Sequence, residues 1–206
     1  ARQAAMPHLE TLEPRIVLSA TGDVFDVSQY IRFNDADGLR DFAVGDVNGD
    51  GIDDIAAIDS DHNVFLASSF RGAFRLPIEL DPMGTLGSSS SGNIEMADLT
   101  DDGHLDIVVI DNTTSRTVNV FINDANGNFA APIQVLAFGD NARDLSITDI
   151  TGDSIPDIVL LFENTVEGYQ SNGDGTATTL LFSQTESATD FTFVDVGDLN
   201  GDDLPD

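Results

Sequence analysis

The residues of this chain best suited to chemistry are carboxylates, and they recur in one frame. It is written four times: DVNGDGIDD from Asp46, DLTDDGHLD from Asp98, DITGDSIPD from Asp149 and DLNGDDLPD from Asp198. Each copy reads D-x-[N/T]-x-D-x-x-x-D, with side-chain oxygens at loop positions 1, 3, 5 and 9. Carboxylates converging on so short a loop repel one another unless a hard cation lies between them. Calcium takes about six to eight oxygen ligands, often with a backbone carbonyl at position 7, so the frame predicts calcium. An EF-hand fails on spacing, since it needs a bidentate Glu at position 12, where this chain has Ala57, Val109 or Leu160. The tandem Gly-rich nonapeptides of a calcium-binding β-helix are absent as well. The NGDG run from Asn172 falls between two strand-like segments and is expected to be a hairpin turn.

The elements that position these loops repeat with them. The first aspartates are 52, 51 and 49 residues apart, and a period of roughly 20–50 residues signals a solenoid, propeller or array. Apolar pairs precede each loop at alternating positions: Phe42 and Val44, Ile94 and Met96, Leu145 and Ile147, Val194 and Val196. A small residue follows each pair: Gly45, Ala97, Thr148 or Gly197. That alternation predicts a half-buried strand leading into the loop. After the loop a continuous apolar run, 55–58, 107–110 or 158–161, suits a strand buried on both faces. Two more β-prone segments follow. The last of them, GAFRLPIEL from Gly72 and GNFAAPIQV from Gly127, carries a Pro that demotes it to a sheet edge. The third copy, GTATTLLFS from Gly175, has lost that Pro. The expected fold is all-β: propeller blades of four antiparallel strands, incomplete, with three blades and the start of a fourth. The expected blades are 39–83, 91–137, 142–184 and a partial 190–206, within a propeller fragment spanning 23–206. DVFDVSQYIRF from Asp23 is expected to be a strand that extends the first blade. GTLGSSSSG from Gly84 is expected to be a flexible inter-blade loop.

FAVGDVNGDGIDDIAAI, from Phe42 to Ile58, resembles the FG-GAP repeat of integrin-α-type propellers and the related VCBS repeat of bacterial surface proteins. The resemblance spans roughly Asp41 to Asp206. It implies that calcium sits in the hairpin joining the first two strands of each blade. Carried over by position, it implies side-chain ligands Asp46, Asn48, Asp50 and Asp54 in the first loop, and Asp98, Thr100, Asp102 and Asp106 in the second. The third would use Asp149, Thr151, Asp153 and Asp157, and the fourth Asp198, Asn200, Asp202 and Asp206. The carbonyls of Ile52, His104, Ile155 and Leu204 would fill position 7. Asp53 and Asp101 fall between ligands and are expected to be bystanders. Loop position 6 is Gly51, Gly103, Ser154 and Asp203; if it needs positive φ, glycine fits it best. The expected order of affinity is therefore first loop, second loop, then the third and fourth.

HLETLEPRIVLSA, from His8 to Ala20, resembles the Leu-Glu-Pro-Arg (LEPR-XLL) segment found near the N-terminus of large secreted bacterial surface proteins. Residues 1–22 are read as an irregular sorting-type segment on that resemblance. No basic start followed by a long apolar stretch marks a conventional signal peptide, and no run of about 18 apolar residues marks a membrane span.

Composition narrows the partners. Against 37 acidic residues stand 8 basic ones, all arginine, for a net charge of −29. Such a surface repels nucleic acid and anionic membranes and suits a medium rich in divalent cations. With no cysteine, disulfides and thiolate metal sites are excluded. No Ser-His-Asp order, H-E-x-x-H motif or phosphate loop is present, so no enzyme is expected within this chain. His8, His62 and His104 lie outside any catalytic grouping. Carboxylate pairs such as Asp53-Asp54 suggest a glycosidase, but the calcium frame already accounts for them. Three classes stay open: an extracellular or cell-surface bacterial module binding a protein or glycan, the propeller portion of a polysaccharide-degrading enzyme, and a spacer. Because the chain stops within the fourth repeat, it is expected to be the N-terminal part of a longer protein or an incomplete gene product.

Overall fold

The computed structural model describes residues 16–18, 24–26, 38–61, 63–70, 73–81, 86, 92–112, 116–187, 191–198 and 205. Three four-stranded antiparallel sheets dominate it, and no helix occurs among the described residues. The first blade runs β3 (Leu39–Gly45), β4 (Asp54–Asp59), β5 (Val64–Ala67) and edge strand β8 (Ile78–Glu79), after a two-stranded hairpin of β1 (Ile16–Leu18) and β2 (Val24–Asp26). A small ribbon of β6 (Ser69–Phe70) and β7 (Ala73–Phe74) lies between its third and fourth strands. The second blade is β9 (Ile94–Ala97), β10 (Asp106–Asp111), β11 (Thr117–Phe121) and β12 (Ile133–Ala137). The third is β13 (Asp144–Thr148), β14 (Asp157–Leu161), β15 (Thr165–Ser171) and β16 (Ala177–Thr185). Each sheet pairs its strands in chain order, as propeller blades do.

The second strand of each blade is apolar throughout because both its faces are covered. Ile107 and Val109 of β10 pack with Ala56, Ile58, Val64 and Leu66 of the first blade. Val108 and Ile110, pointing the other way, pack with Leu145, Ile158, Leu160 and Ala177 of the third. Successive side chains of a strand alternate between faces, so one six-residue strand serves two inter-blade cores. Each such aliphatic side chain stabilises by about 1.5–3 kcal/mol on full burial. Proline takes its expected place: Pro77 and Pro132 immediately precede the edge strands β8 and β12. Where that Pro is lost, β16 extends to 9 residues, accommodated by two register shifts against β15.

Several expectations need correction. β2 pairs with β1 and not with the first blade, so Ile16–Leu18 is a strand within the segment read as irregular, and most of 23–33 lies outside the described residues. The apolar pair Phe42 and Val44 is not half-buried: these residues are 63% and 51% exposed, whereas the counterparts of Phe42, Ile94 and Leu145, are 1% and 3% exposed, and those of Val44, Met96 and Ile147, are partly buried. Ile94 and Leu145 each face a preceding blade, and no described sheet packs against β3 on that side. Residues 191–198, expected to hold the leading strand of a fourth blade, carry no strand, because no described segment supplies a ladder partner. They dock on the third blade instead, Val194 N–H donating to Asp144 Oδ2 at 2.7 Å. In the 84–92 loop the described Leu86 is an anchor, 6% exposed, with its N–H bonded to Asp81 Oδ2 at 2.8 Å.

The innermost strands gather acidic residues. Burial raises the pKa of Glu95, and Asp41, Asp144 and Asp195 raise it further by repulsion. Asp144 is raised by burial, partly offset by the N–H groups of Val194 and Leu145, with Asp41 and Asp195 again adding to the rise. A carboxyl with a raised folded pKa contributes stability at low pH that is lost as the pH rises through the folded value. Glu95→Gln is therefore expected to raise the melting temperature at about pH 7 and to leave it unchanged below about pH 4. Melting curves across pH check this; an equal shift at both ends would show that charge is not the cause.

Candidate metal loops

The first-to-second-strand connections, residues 46–54, 98–106 and 149–157, lie at one end of the three sheets, the end shared by the third-to-fourth-strand turns. Their backbones are alike. Position 6 is left-handed in all three, with φ of 80° at Gly51, 84° at Gly103 and 73° at Ser154. Position 4 is left-handed as well: Gly49 at 73°, Asp101 at 54° and Gly152 at 76°. The expectation for position 6 is met, and the strain at position 4 is an addition to it. The second and third loops thus each hold one side chain, Asp101 and Ser154, in a conformation that costs roughly 1–2 kcal/mol. Ser154→Gly is expected to raise the melting temperature by about 2–4 °C, and Asp101→Gly by less, since Asp tolerates this region better. A fall in either variant's melting temperature would contradict the assignment.

The position 1 carboxylate is wrapped by amides. Asp46 Oδ1 accepts from the N–H groups of Gly49 at 2.7 Å, Asp50 at 3.2 Å and Asn48 at 3.3 Å, and Oδ2 from Gly51 at 2.7 Å. Asp149 repeats this with Gly152, Asp153 and Ser154, and Asp98 with Asp102 and Gly103. Burial pushes the Asp46 pKa up, but the four amides outweigh it and hold the group below the usual carboxylate range. Position 5 caps the far side: Asp50, Asp102 and Asp153 each accept from the N–H two residues on. That bond holds Asp153 below the ordinary value against slight desolvation, helped by Gln170.

Position 9 behaves differently. Asp54, Asp106 and Asp157 are each 0% exposed. One oxygen of each accepts from the N–H of loop position 2: Val47 at 3.2 Å, Leu99 at 3.1 Å and Ile150 at 2.9 Å. The other accepts from an N–H at or just past the end of the third strand: Ser69 at 2.5 Å, Asn123 at 2.9 Å and Ser171 at 3.0 Å. Asn48 Nδ2 and Thr100 Oγ1 also donate to their position 9 carboxylates, at 3.0 and 3.3 Å. Burial dominates at Asp106 and raises its pKa despite these bonds. Position 9 is therefore a staple joining three pieces of backbone, a role that spacing alone did not reveal.

Among the described residues no three His, Asp or Glu side chains are gathered at metal-binding distances. The donor chemistry nevertheless fits a hard cation. Every group is an oxygen, and ionised carboxylates keep acceptor sites beyond the bonds above. Asn48 presents Nδ2 to Asp54 and Oδ1 to the loop, where it accepts from Asp50 N–H at 3.1 Å. The Ile52 carbonyl accepts from Ser69 Oγ at 3.1 Å. His104 is half-buried, its N–H bonded to Asp102. Of the fourth loop's expected ligands only Asp198 is described; Asn200, Asp202, Leu204 and Asp206 lie outside the described residues, as do His8 and His62.

The third-to-fourth-strand turns beside these loops clip neighbouring blades together. Asn123 Nδ2, in the second blade, donates to the Val47 carbonyl of the first loop at 2.7 Å and to Leu105 at 2.9 Å. Gly175 N–H, in the third, donates to Leu99 of the second loop at 3.0 Å. The NGDG run is a hairpin turn as expected, closed by Asn172 N–H to Thr176 O at 2.9 Å, and its further role as a clip went unread. The signal present in the sequence was the shared glycine: a Cβ on Gly127 would meet Asn48 at 3.0 Å, and one on Gly175 would meet Ile122 at 2.7 Å.

Repeated four-stranded blades with an acidic loop after each first strand define an FG-GAP-type propeller array. The chain belongs to the FG-GAP-like repeat family, which it matches over residues 46–109, 98–160 and 149–206. No curated protein matches it. Among solved structures it is similar to an Agrocybe aegerita lectin that recognises non-reducing terminal N-acetylglucosamine. There the identity is 22% and the TM-score 0.55, over 71% of this chain and 38% of the lectin. It is also similar to the Dos1 propeller, at 13% identity and a TM-score of 0.53, over 86% of this chain and 43% of the other. Both likenesses speak to the fold. The chain spans less than half the length of either protein.

Proposed function

We propose that this chain is a calcium-stabilised, non-catalytic binding module of a secreted or cell-surface bacterial protein, used in adhesion or ligand recognition. The observation that carries the reading is the threefold recurrence of one loop geometry, with oxygen donors at positions 1, 3 and 5 and a position 1 carboxylate nested in amides. When bound, calcium would supply charge neutralisation and crosslinking of loop oxygens. Asp46, Asn48 and Asp50 would hold it in the first loop, Asp98, Thr100 and Asp102 in the second, and Asp149, Thr151 and Asp153 in the third. The fourth loop is proposed to follow them. The position 9 carboxylates would join that set.

The charge of −29 supports an extracellular setting, where calcium is abundant enough for sites of about 10⁻⁴–10⁻³ M affinity. The Leu-Glu-Pro-Arg resemblance supports the bacterial surface assignment. Among the described residues no helix is long and apolar enough to cross a membrane. Limited proteolysis in calcium, magnesium and chelator tests the reading. Cleavage within 46–54 and 98–106 is expected to slow in calcium, with magnesium weaker because it demands tight octahedral geometry and dehydrates reluctantly. Equal cleavage in all three conditions would refute it.

A further inference from the structure

The blades have a second end, opposite the acidic loops, built from second-to-third-strand turns and inter-blade connections. Between the second and third blades this end opens into a cleft of 820 Å³, within the range of small-ligand sites, about 300–1,000 Å³. Arg116, Asp140, Asn141, Arg143, Glu163 and Glu167 stand on its lining.

These groups are held in place by their neighbours. The connection carrying Asp140 to Arg143 is pinned from the second blade: Asn112 Nδ2 donates to the Ala142 carbonyl at 2.6 Å, and Ala142 N–H donates back to Asn112 Oδ1 at 2.9 Å. Arg116 has φ of 47°, a strained value for a residue with a Cβ. Its Nε–H donates to Asn141 Oδ1 at 3.0 Å and a terminal N–H to Gly139 O at 3.1 Å, using two of about five guanidinium N–H groups. Arg143 donates to Phe191 O at 2.9 Å and meets Glu163 Oε1 at 3.5 Å. Glu167 accepts from Tyr169 O–H at 2.5 Å and Ser183 Oγ–H at 3.0 Å. Backbone strain of this kind persists where the surroundings over-determine it, often at ligand sites.

The balance of charge selects the ligand. Two of the eight arginines of a strongly acidic chain meet three carboxylates here, so the cleft suits neither an anion nor a bare cation. Phe162, the large apolar side chain on the lining, is only 7% exposed, which leaves little for a lipid or an apolar peptide side chain. What the cleft presents is a set of planar forks, guanidinium, carboxylate and amide, that mixes donors with acceptors. A hydroxyl both donates and accepts, and adjacent ring hydroxyls match such forks. We propose that this cleft binds a neutral glycan. The proposal rests on the binding-module reading but not on calcium.

The test uses the full chain on an array carrying neutral, uronic-acid, sialylated and sulfated glycans, in calcium and in chelator, alongside immobilised extracellular-matrix proteins. Arg116→Gly removes the guanidinium while the backbone keeps its left-handed conformation without strain, and Asn141→Ala is the second variant. Retention of neutral glycans, weakened at least tenfold in both variants with no loss of melting temperature, is the expected result. No retention of neutral glycans, retention of acidic glycans only, or neutral binding untouched by both variants would overturn the proposal. Capture of matrix proteins alone would overturn it while leaving the module reading intact, whereas no retention in any class would remove both. Neutral-glycan binding that survives chelator yet falls in Arg116→Gly would support the cleft independently of the metal loops.

Discussion

Adding calcium to chelated protein is expected to raise its melting temperature on the order of 20 °C. A ligand that binds only the folded state stabilises by about 2.7 kcal/mol per site at a hundredfold excess over Kd. Three described loops thus contribute about 8 kcal/mol in all, and each kcal/mol is worth about 2–4 °C in a chain of this size. The effect is large because each loop joins the first two strands of its blade, so a bound cation ties both strands at once. Magnesium is expected to give a smaller rise. Differential scanning calorimetry in chelator, magnesium and calcium measures this, and superimposable curves would remove the metal from the account.

The second large effect concerns neighbouring aspartates. Asp54→Ala is expected to cost about 3–5 kcal/mol even in chelator, whereas Asp53→Ala stays within about 0.5 kcal/mol. Asp54 is fully buried and accepts from Val47 N–H, Asn48 Nδ2 and Ser69 N–H, so truncation leaves three donors without an acceptor. Asp53 is exposed. Urea unfolding of both variants without calcium separates the two roles of position 9. If Asp54→Ala unfolds like the parent in chelator and differs only with calcium, Asp54 is a ligand and not a staple.

Much of the architecture was legible in the sequence because repetition amplified weak signals. One apolar run after an acidic loop is ambiguous; the runs at 55–58, 107–110 and 158–161 in one phase are not, and each is a second strand. Pro77 and Pro132 marked edge strands for a reason local to the chain, the missing N–H. What was not legible depended on neighbours. Phe42 and Ile94 are equivalent in sequence, yet one is exposed and the other buried, because burial of that face is decided by the preceding blade. The inward turn of Asp54, Asp106 and Asp157 needed the third strand to be seen beside the second. The strain at Asp101 was hidden because an aspartate there reads first as charge. The clips from Asn123 and Gly175 cross between blades, a relation that a single repeat does not contain.

The central claim is that the loops bind calcium one ion apiece, and isothermal titration of chelated protein tests it most directly. Calcium should bind saturably at three or more sites per chain, and Asp50→Ala, which alters an exposed position 5 carboxylate, should remove one site and leave the others. No saturable heat, or a stoichiometry unchanged in Asp50→Ala, Asp102→Ala and Asp153→Ala alike, would contradict it.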